Sequence, residues 1–270
     1  MKRRRPRTLA RKASRYELYQ RSVQEPEADF RLAERVFRRE HGRLPRLLRE
    51  DFCGTALIAC EWVKRRPENR AFAIDLDPAP LAWGRRHNLA RLSPEQAARV
   101  KLIEGDVRDV GHEKVDVTAA LNFSYFLFQR RDELRRYFER ARATLLPGGL
   151  LLLDAYGGAD AQRTLRERRR VDDFHYVWDQ RVFDPITSRV VNQIDFEFHD
   201  GSRLRRAFHY DWRLWSIAEL RELLAEAGFA RSEVYWEGTD SLTGKGNDVF
   251  TRRERAPDDP AWIAYLVGLT

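Results

Sequence analysis

One strand–turn–helix pattern constrains the fold of this chain most. Residues 47–56 read as the end of a buried strand that turns through Gly54 into a helix, and the strand after that helix ends in Asp75. Asp75 lies 21 residues after Gly54, close to the spacing of about 20 residues between a nucleotide-binding turn and its ribose-binding acid. Because a carboxylate accepts hydrogen bonds and a ribose edge offers two donors, the pattern predicts a pocket for a nucleoside-bearing ligand.

The turn lacks a phosphate cradle. A dinucleotide fingerprint has three glycines, but Phe52 and Ala56 stand where the two outer glycines would be. No Lys-Ser or Lys-Thr pair follows the turn, which disfavours a P-loop. These departures favour a nucleoside ligand without a pyrophosphate and disfavour an NAD-dependent oxidoreductase.

Predicted strands and helices alternate after residue 44. The apolar patterns predict strands over residues 46–51, 71–75, 100–104, 115–122 and 150–155, with helices over 55–65, 80–89 and 131–145. This alternation indicates an α/β fold with a doubly wound, mostly parallel sheet. Helices from Ser14 and over 26–41 precede the sheet, while a helix capped by Ser216 and strands over 232–236 and 248–252 follow the middle region.

The region between the two halves has a different pattern. Apolar and polar residues alternate over about 172–212, and Asp200-Gly201 is a strong hairpin signal. We therefore expect an inserted antiparallel β unit of about three strands. The predicted organisation is a basic, poorly ordered tail over 1–13, a helical lid over 14–43, and one domain over 44–270 that carries the insertion.

Composition restricts the class of protein. With 43% hydrophobic and 34% charged residues, the 270-residue chain can bury a core, and no apolar run reaches the roughly 18 residues of a membrane helix. No apolar stretch follows the basic N-terminus as in a signal peptide, and the spacing of the two cysteines fits neither a metal site nor a disulfide. The chain is expected in the cytoplasm. The N-terminal Lys and Arg run is either a solvated tail or an arm that grips nucleic acid.

The motifs resemble those of the class I S-adenosylmethionine-dependent methyltransferases. In the family order, the similar segments are residues 50–56, 73–78, 104–107, 145–154 and 227–229. The resemblance implies a seven-stranded Rossmann-like sheet, S-adenosyl-L-methionine as cofactor and S-adenosyl-L-homocysteine as product. It also implies that Asp75 binds the cofactor ribose and that Asp106 and the Val107 amide meet the adenine. The full set of cofactor-binding residues that it implies is Arg49, Glu50, Cys53, Gly54, Thr55, Asp75, Leu76, Asp106, Val107 and Asn122.

Further residues are candidates for contact with a methyl acceptor. The candidates that would orient the acceptor are Asn122, Ser124, Tyr125 and Tyr156, and the aromatic candidates are Tyr16, Tyr19, Trp178 and Trp212. For Ser124 the alternative is a helix cap. A cage for a cationic amine could be formed by a set of aromatic residues that could equally be core: Tyr176, Trp178, Tyr210, Trp212, Trp215, Tyr235 and Trp236.

Three functions fit the sequence. The leading hypothesis is in-line methyl transfer to a small-molecule acceptor, in which the protein mainly aligns donor and acceptor and no metal is expected. The second is an RNA or protein methyltransferase that uses the basic N-terminal arm. The third is a non-catalytic regulatory protein that binds a nucleoside.

Overall fold

The computed structural model describes residues 8–240 and 246–270. The helices are α1 (Leu9–Lys12), α2 (Arg15–Val23), α3 (Pro26–His41), α4 (Leu57–Arg65), α5 (Pro78–His87), α6 (Pro94–Ala97), α7 (Arg131–Ala143) and α8 (Ile217–Glu226). The strands are β1 (Leu47–Asp51), β2 (Arg70–Asp75), β3 (Val100–Glu104), β4 (Val115–Ala120), β5 (Leu145–Gly157), β6 (Leu165–Val171), β7 (Phe174–Asp184), β8 (Arg189–Phe198), β9 (Arg203–Arg213), β10 (Arg231–Thr239), β11 (Gly246–Arg252) and β12 (Trp262–Leu269).

The larger sheet is mostly parallel and doubly wound, as the sequence predicts. Its strand order is β11-β10-β12-β5-β4-β1-β2-β3, and β1 to β5 run parallel. The order reverses at β1 and β4, so the carboxyl ends of these strands flank the crevice where such folds bind ligands. Every residue of β4 is buried.

The larger sheet has eight strands where seven were expected. Trp262–Leu269 forms β12, which lies antiparallel between β5 and β10. The strands expected over 232–236 and 248–252 are β10 and β11, and β11 adds an edge outside β10. The continuous apolar run of β12 is typical of a strand buried on both faces.

Helices cover both faces of this sheet. On one face α3, α4 and α5 contribute Phe37, Trp62 and Leu81 to a buried apolar cluster. On the other face α7 and α8 contribute Phe138 and Leu223 to a second one. Because helices cover both faces, the central strands are apolar on both faces, which is why their apolar runs were readable from the sequence.

The inserted unit is a separate antiparallel sheet with the order β6-β7-β8-β9. It spans residues 165–213 and has four strands where three were expected over 172–212. The additional strand is β6, whose Arg-rich sequence leaves most of its residues exposed at the sheet edge. Such a strand lacks the apolar alternation that sequence reasoning depends on.

Helices α1 and α2 pack against this smaller sheet. Leu18 of α2 is buried among Phe174, Ile194 and Phe196. Residues 9–12, expected in a poorly ordered tail, form α1, and the Leu9 amide donates a 2.9 Å hydrogen bond to the Asp200 carboxylate. The rest of the expected tail, residues 1–7, lies outside the described residues.

Candidate active site

A cavity of about 710 Å³ lies at the carboxyl ends of the first four strands. The turn after β1, the end of β2, the loop after β3 and the end of β4 form its floor and sides, while α2 and β9 face them. Of the ten residues expected to bind a cofactor, this arrangement brings eight together around one space: Cys53, Gly54, Thr55, Asp75, Leu76, Asp106, Val107 and Asn122.

The turn after β1 follows a left-handed path at three positions. Gly54 has φ of 53°, and the two residues that replace the expected outer glycines also have positive values, 57° for Phe52 and 55° for Ala56. A residue other than glycine in this conformation costs of order 1–3 kcal/mol, so the surrounding packing must impose it. The turn therefore adopts positive φ angles despite lacking the glycines.

Helix α5 packs directly on this turn. Gly84 in α5 approaches so closely that an added Cβ would lie 2.2 Å from the Thr55 carbonyl oxygen. The same carbonyl accepts a 2.8 Å hydrogen bond from the Asn88 side-chain amide. These two contacts fix the turn from its outer side.

Asp75 joins the glycine turn to the end of β2. Its carboxylate accepts hydrogen bonds from the Gly54 amide at 2.7 Å and from the Asp77 amide at 2.9 Å. Each oxygen retains acceptor capacity toward the cavity. Burial raises the pKa of this carboxyl, and the hydrogen bonds from both amides oppose the rise. Asp77 caps α5 by accepting a hydrogen bond from the Ala79 amide, as the sequence predicts.

Two apolar side chains are exposed to the cavity. Leu76 is 68% exposed and Leu127 is 44% exposed, and both line the cavity. A ligand with a flat apolar part would gain free energy by covering them, because this removes apolar surface from water.

Asp106 lines the cavity beside a cation that sequence reasoning missed. Arg108 donates two hydrogen bonds to its carboxylate, at 2.9 and 2.6 Å, and the guanidinium carbon lies 5.0 Å from the centre of the Phe128 ring. The paired guanidinium lowers the pKa of Asp106. Part of the carboxylate's acceptor capacity is therefore used within the loop after β3.

Arg49 and Glu50 do not line the cavity, which corrects their expected positions beside the cofactor. The Arg49 guanidinium is buried, pairs with Asp51 at 2.7 Å and donates to the Val107 carbonyl at 2.6 Å. Arg49 thus supports the loop after β3 from behind. Glu50 accepts a 2.8 Å hydrogen bond from the Ala59 amide in α4, and burial raises its pKa well above the ordinary value.

The end of β4 is held by a carboxylate at the end of β5. Asn122 and Phe123 both have positive φ, and their amides donate to Asp154 at 2.7 and 2.9 Å. Asn122 and Ser124 line the cavity, and the Ser124 hydroxyl donates to the Leu121 carbonyl rather than capping a helix. Tyr125 is corrected to a core residue, because it is fully buried and its hydroxyl donates to the Asp154 carbonyl.

Asp154 should make stability depend on pH. Burial raises its pKa from 3.8 to about 7, so the folded protein retains a proton that the unfolded chain loses above pH 4. The stabilisation from this group is complete below its unfolded pKa and is lost as the pH rises through about 7. We expect the free energy of unfolding of the wild type, measured in urea, to fall relative to that of Asp154→Asn between pH 4 and 7.5. Parallel pH profiles for the two proteins would contradict the assignment, and the exposed Asp258→Asn change serves as control.

A second cavity of about 330 Å³ adjoins the first. Tyr19, Asn122, Tyr210 and Trp212 line both, so the two spaces share a wall at the end of β4. The other expected aromatic candidates divide between them: Tyr16 lines the first, while Tyr156 and Trp178 line the second. Tyr210, which alternates with Trp212 along β9, thus lies beside it, whereas Trp215, Tyr235 and Trp236 are buried and line neither cavity.

Helix α2 lies across the first cavity. The Gln20 side-chain amide donates a 2.6 Å hydrogen bond to the Thr55 hydroxyl, which joins α2 to the glycine turn. Tyr19 packs on Phe208 with ring centres 4.8 Å apart. No sequence motif marks Gln20 or Phe208, because their contacts are made between distant parts of the chain.

Both cysteines should be unreactive in the folded protein. Cys53 is 2% exposed and Cys60 is 0% exposed; burial raises the pKa of Cys60 to about 12 and also raises the pKa of Cys53 well above its ordinary value. Since the thiolate is the reacting species, we expect no labelling of native protein by a disulfide reagent at pH 8 within minutes, and full labelling in urea. Rapid labelling of either thiol without denaturant would contradict this arrangement.

The described residues contain no group of three or more His, Cys, Asp or Glu side chains placed to hold a metal ion. Among the described helices, none has the length and apolar character to span a membrane.

Comparison with known proteins identifies the central region. Residues 51–153 match the model of a family described as a methyltransferase domain. A malonyl-[acyl-carrier protein] O-methyltransferase from Nitrosospira multiformis is 25% identical over 146 residues, which is 50% of this chain and 46% of that protein. The chain thus spans about half the length of this curated relative.

Solved structures share the fold over nearly the whole chain. An S-adenosylmethionine-dependent methyltransferase from Clostridium acetobutylicum superposes with a TM-score of 0.64 at 17% identity, covering 94% of this chain and 97% of its own. The amino pentose methyltransferase CalS10 from Micromonospora echinaspora gives a TM-score of 0.63 at 17% identity with the same coverage. Residues 51–153 thus match a methyltransferase domain, and the chain as a whole has the fold of S-adenosylmethionine-dependent methyltransferases.

Proposed function

We propose that the chain binds S-adenosylmethionine in the first cavity and transfers its methyl group to a small-molecule acceptor in the second. The observation that carries this proposal is the pair of adjoining cavities at the carboxyl ends of the strands, which meet at Asn122 and Trp212. Two adjoining spaces allow a donor and an acceptor to be held in line, which is the main requirement of a displacement reaction.

The residues around the first cavity are placed to contact the parts of S-adenosylmethionine. Asp75 binds the ribose hydroxyls, Leu76 flanks the adenine ring, and Asp106 with the Val107 amide meets the adenine edge. The Asp75 carboxylate at the cavity also suits a cation, because a nearby positive charge favours the ionised form of a carboxyl.

When bound, S-adenosylmethionine would supply a methyl group that its positively charged sulfur already activates, and S-adenosylhomocysteine would be the product. The acceptor atom would need a free lone pair, and any proton on that atom would have to pass to water or to a base. The protein aligns the two molecules and keeps water out. Helix α2 covers the cavity as a lid, whereas α3, which was expected in the same lid over 14–43, packs on the larger sheet and does not line the cavity.

A small acceptor is favoured by the size of the second cavity. At about 330 Å³ it lies at the lower end of the range of small-molecule sites. The structural relatives support this class, because CalS10 is an amino pentose methyltransferase and KedS8 from Streptoalloteichus is a sugar N-methyltransferase. The buried, unpaired cysteines fit a reducing compartment, and we place the protein in the cytoplasm.

The test is methyl transfer from S-adenosylmethionine labelled in its methyl group. Purified protein is offered a pool of small metabolites, total RNA and cell protein separately, and the label is followed into each. We expect label in the small-molecule pool. A protein that binds the cofactor but labels none of the pools would instead be a non-catalytic nucleoside-binding protein.

A polyanionic acceptor remains the second candidate because the basic run Lys2 to Arg7 precedes α1. Deleting residues 1–7 distinguishes the two. For a small acceptor the deletion leaves activity within about twofold at all salt concentrations. For an RNA acceptor it causes a large loss of activity and a weaker dependence on salt, because fewer phosphates are neutralised.

A further inference from the structure

The second cavity has aromatic walls. Tyr156, Tyr176, Trp178, Tyr210, Trp212 and Trp262 all line it. Several of these rings contact one another: Tyr210 and Trp212 stack with centres 4.3 Å apart, and Trp178 lies 6.1 Å from Tyr210. Because these residues lie on β5, β7, β9 and β12, the rings line the cavity from both sheets.

The charged residues that line this cavity are all acidic, although the Arg169 guanidinium carbon lies 5.5 Å from the centre of the Tyr176 ring. Asp160, Glu167 and Glu237 line it, whereas none of its described lining residues is Lys, Arg or His. The first cavity differs, because Arg15, Arg108 and Arg206 are among its lining residues. An acidic lining without any cation is also unexpected in a chain with a net charge of +8.

Two of the three carboxylates are not neutralised by described residues. Asp160 pairs with Arg163 at 2.7 Å, but neither Glu167 nor Glu237 forms an ion pair with any described residue. Glu167 faces Trp178 across the β6–β7 pair, so a carboxylate and a ring stand side by side at the wall. Glu237 is half-buried and accepts a 3.2 Å hydrogen bond from the Asp248 amide.

From these walls and charges we propose that the second cavity binds the ammonium group of a small cationic acceptor. Aromatic faces attract a cation, and the carboxylates attract it as well. A neutral molecule of equal shape gains neither contribution, and an anion is repelled. This inference rests on the proposed function for the role of the bound molecule as acceptor, but the binding preference can be measured without any turnover.

The probes are choline, its neutral isostere 3,3-dimethylbutan-1-ol, and the anion 3,3-dimethylbutyrate. Each is titrated by calorimetry into the full chain saturated with S-adenosylhomocysteine. We expect choline to bind at least about fivefold more tightly than the neutral alcohol, and the anion to bind least. Equal binding of choline and the alcohol, tighter binding of the anion, or no binding of choline would overturn the proposal.

Variants assign the preference to this cavity. Trp178→Leu and the double change Glu167→Gln, Glu237→Gln should each weaken choline binding by at least about threefold and leave the neutral alcohol unaffected. Trp178→Phe should retain most of the preference because it keeps a ring. The exposed Glu222→Gln in α8, outside both cavities, is the matched control. A preference for choline that survives both cavity variants would place the cation elsewhere and overturn the proposal.

The affinity for S-adenosylhomocysteine distinguishes failure of the cationic-acceptor proposal from failure of the proposed function. If S-adenosylhomocysteine binds to every variant as to the wild type but choline is not preferred over the neutral alcohol, only the cationic-acceptor proposal is wrong. If S-adenosylhomocysteine binds neither to the variants nor to the wild type, the proposed function itself is wrong.

Discussion

Asp75→Ala is expected to weaken S-adenosylmethionine binding by about 10- to 100-fold. The carboxylate would accept hydrogen bonds from the ribose, and charge-assisted hydrogen bonds of this kind contribute about 1.5–3 kcal/mol each. Asp75 also holds the Gly54 and Asp77 amides, so its loss loosens the turn that the ligand lies on. Calorimetric titration of wild type and variant measures the effect directly.

Glu104→Gln is the matched control for Asp75→Ala. Glu104 is the register partner of Asp75 on β3, also ends its strand, and is exposed outside the cavity. It should leave the affinity unchanged. Equal affinity of Asp75→Ala and the wild type would remove Asp75 from the binding site.

Gly84→Ala should destabilise the protein and weaken cofactor binding, although alanine is the better helix former. In an exposed helix this change would stabilise by about 1 kcal/mol. Here the new methyl group would lie 2.2 Å from the Thr55 carbonyl oxygen, a backbone atom that cannot rotate away. We expect a net loss of about 1–3 kcal/mol in the free energy of unfolding, as for other overpacked interiors.

Arg85→Ala separates the two effects of Gly84→Ala. Arg85 is exposed one position along the same helix, so its replacement tests helix propensity without the clash. Thermal denaturation and cofactor titration should show that variant at or above wild-type stability with unchanged affinity. A stabilised Gly84→Ala protein would mean that α5 does not pack against the glycine turn as described.

The parallel half of the fold could be predicted from the sequence, because its strands and helices are marked by residues within or next to each element. The strand over 100–104 and the helix over 26–41 match the structure to the residue, and Ser216 forms the capping box of α8. The strands that were missed lack such signals. β6 has charged, exposed residues, and the apolar run of β12 gives no clue to its partners β5 and β10.

The candidate site was only partly readable. Gly54, Asp75 and Leu76 follow from strand ends and motif spacing, because parallel strands bring their carboxyl ends to one edge. The direction in which a buried polar side chain points cannot be predicted from its neighbours in the sequence. Arg49 turns toward the Val107 carbonyl and Tyr125 toward the Asp154 carbonyl, and both positions depend on contacts between residues far apart in the chain.

The aromatic cavity could not have been located from the sequence for the same reason. Trp178 lies on β7 and Trp212 on β9, and alternating aromatic residues on strands fit a core as well as a binding site. What distinguishes them is the space between the two sheets and the acidic residues that line it.

A crystal structure of the protein grown with S-adenosylhomocysteine tests the central claim most directly. We expect the ribose hydroxyls on the Asp75 carboxylate, the adenine beside Leu76, and the sulfur directed toward Asn122 and Trp212. The ligand bound in any other place, or a protein that takes up none of it at millimolar concentration, would contradict the account.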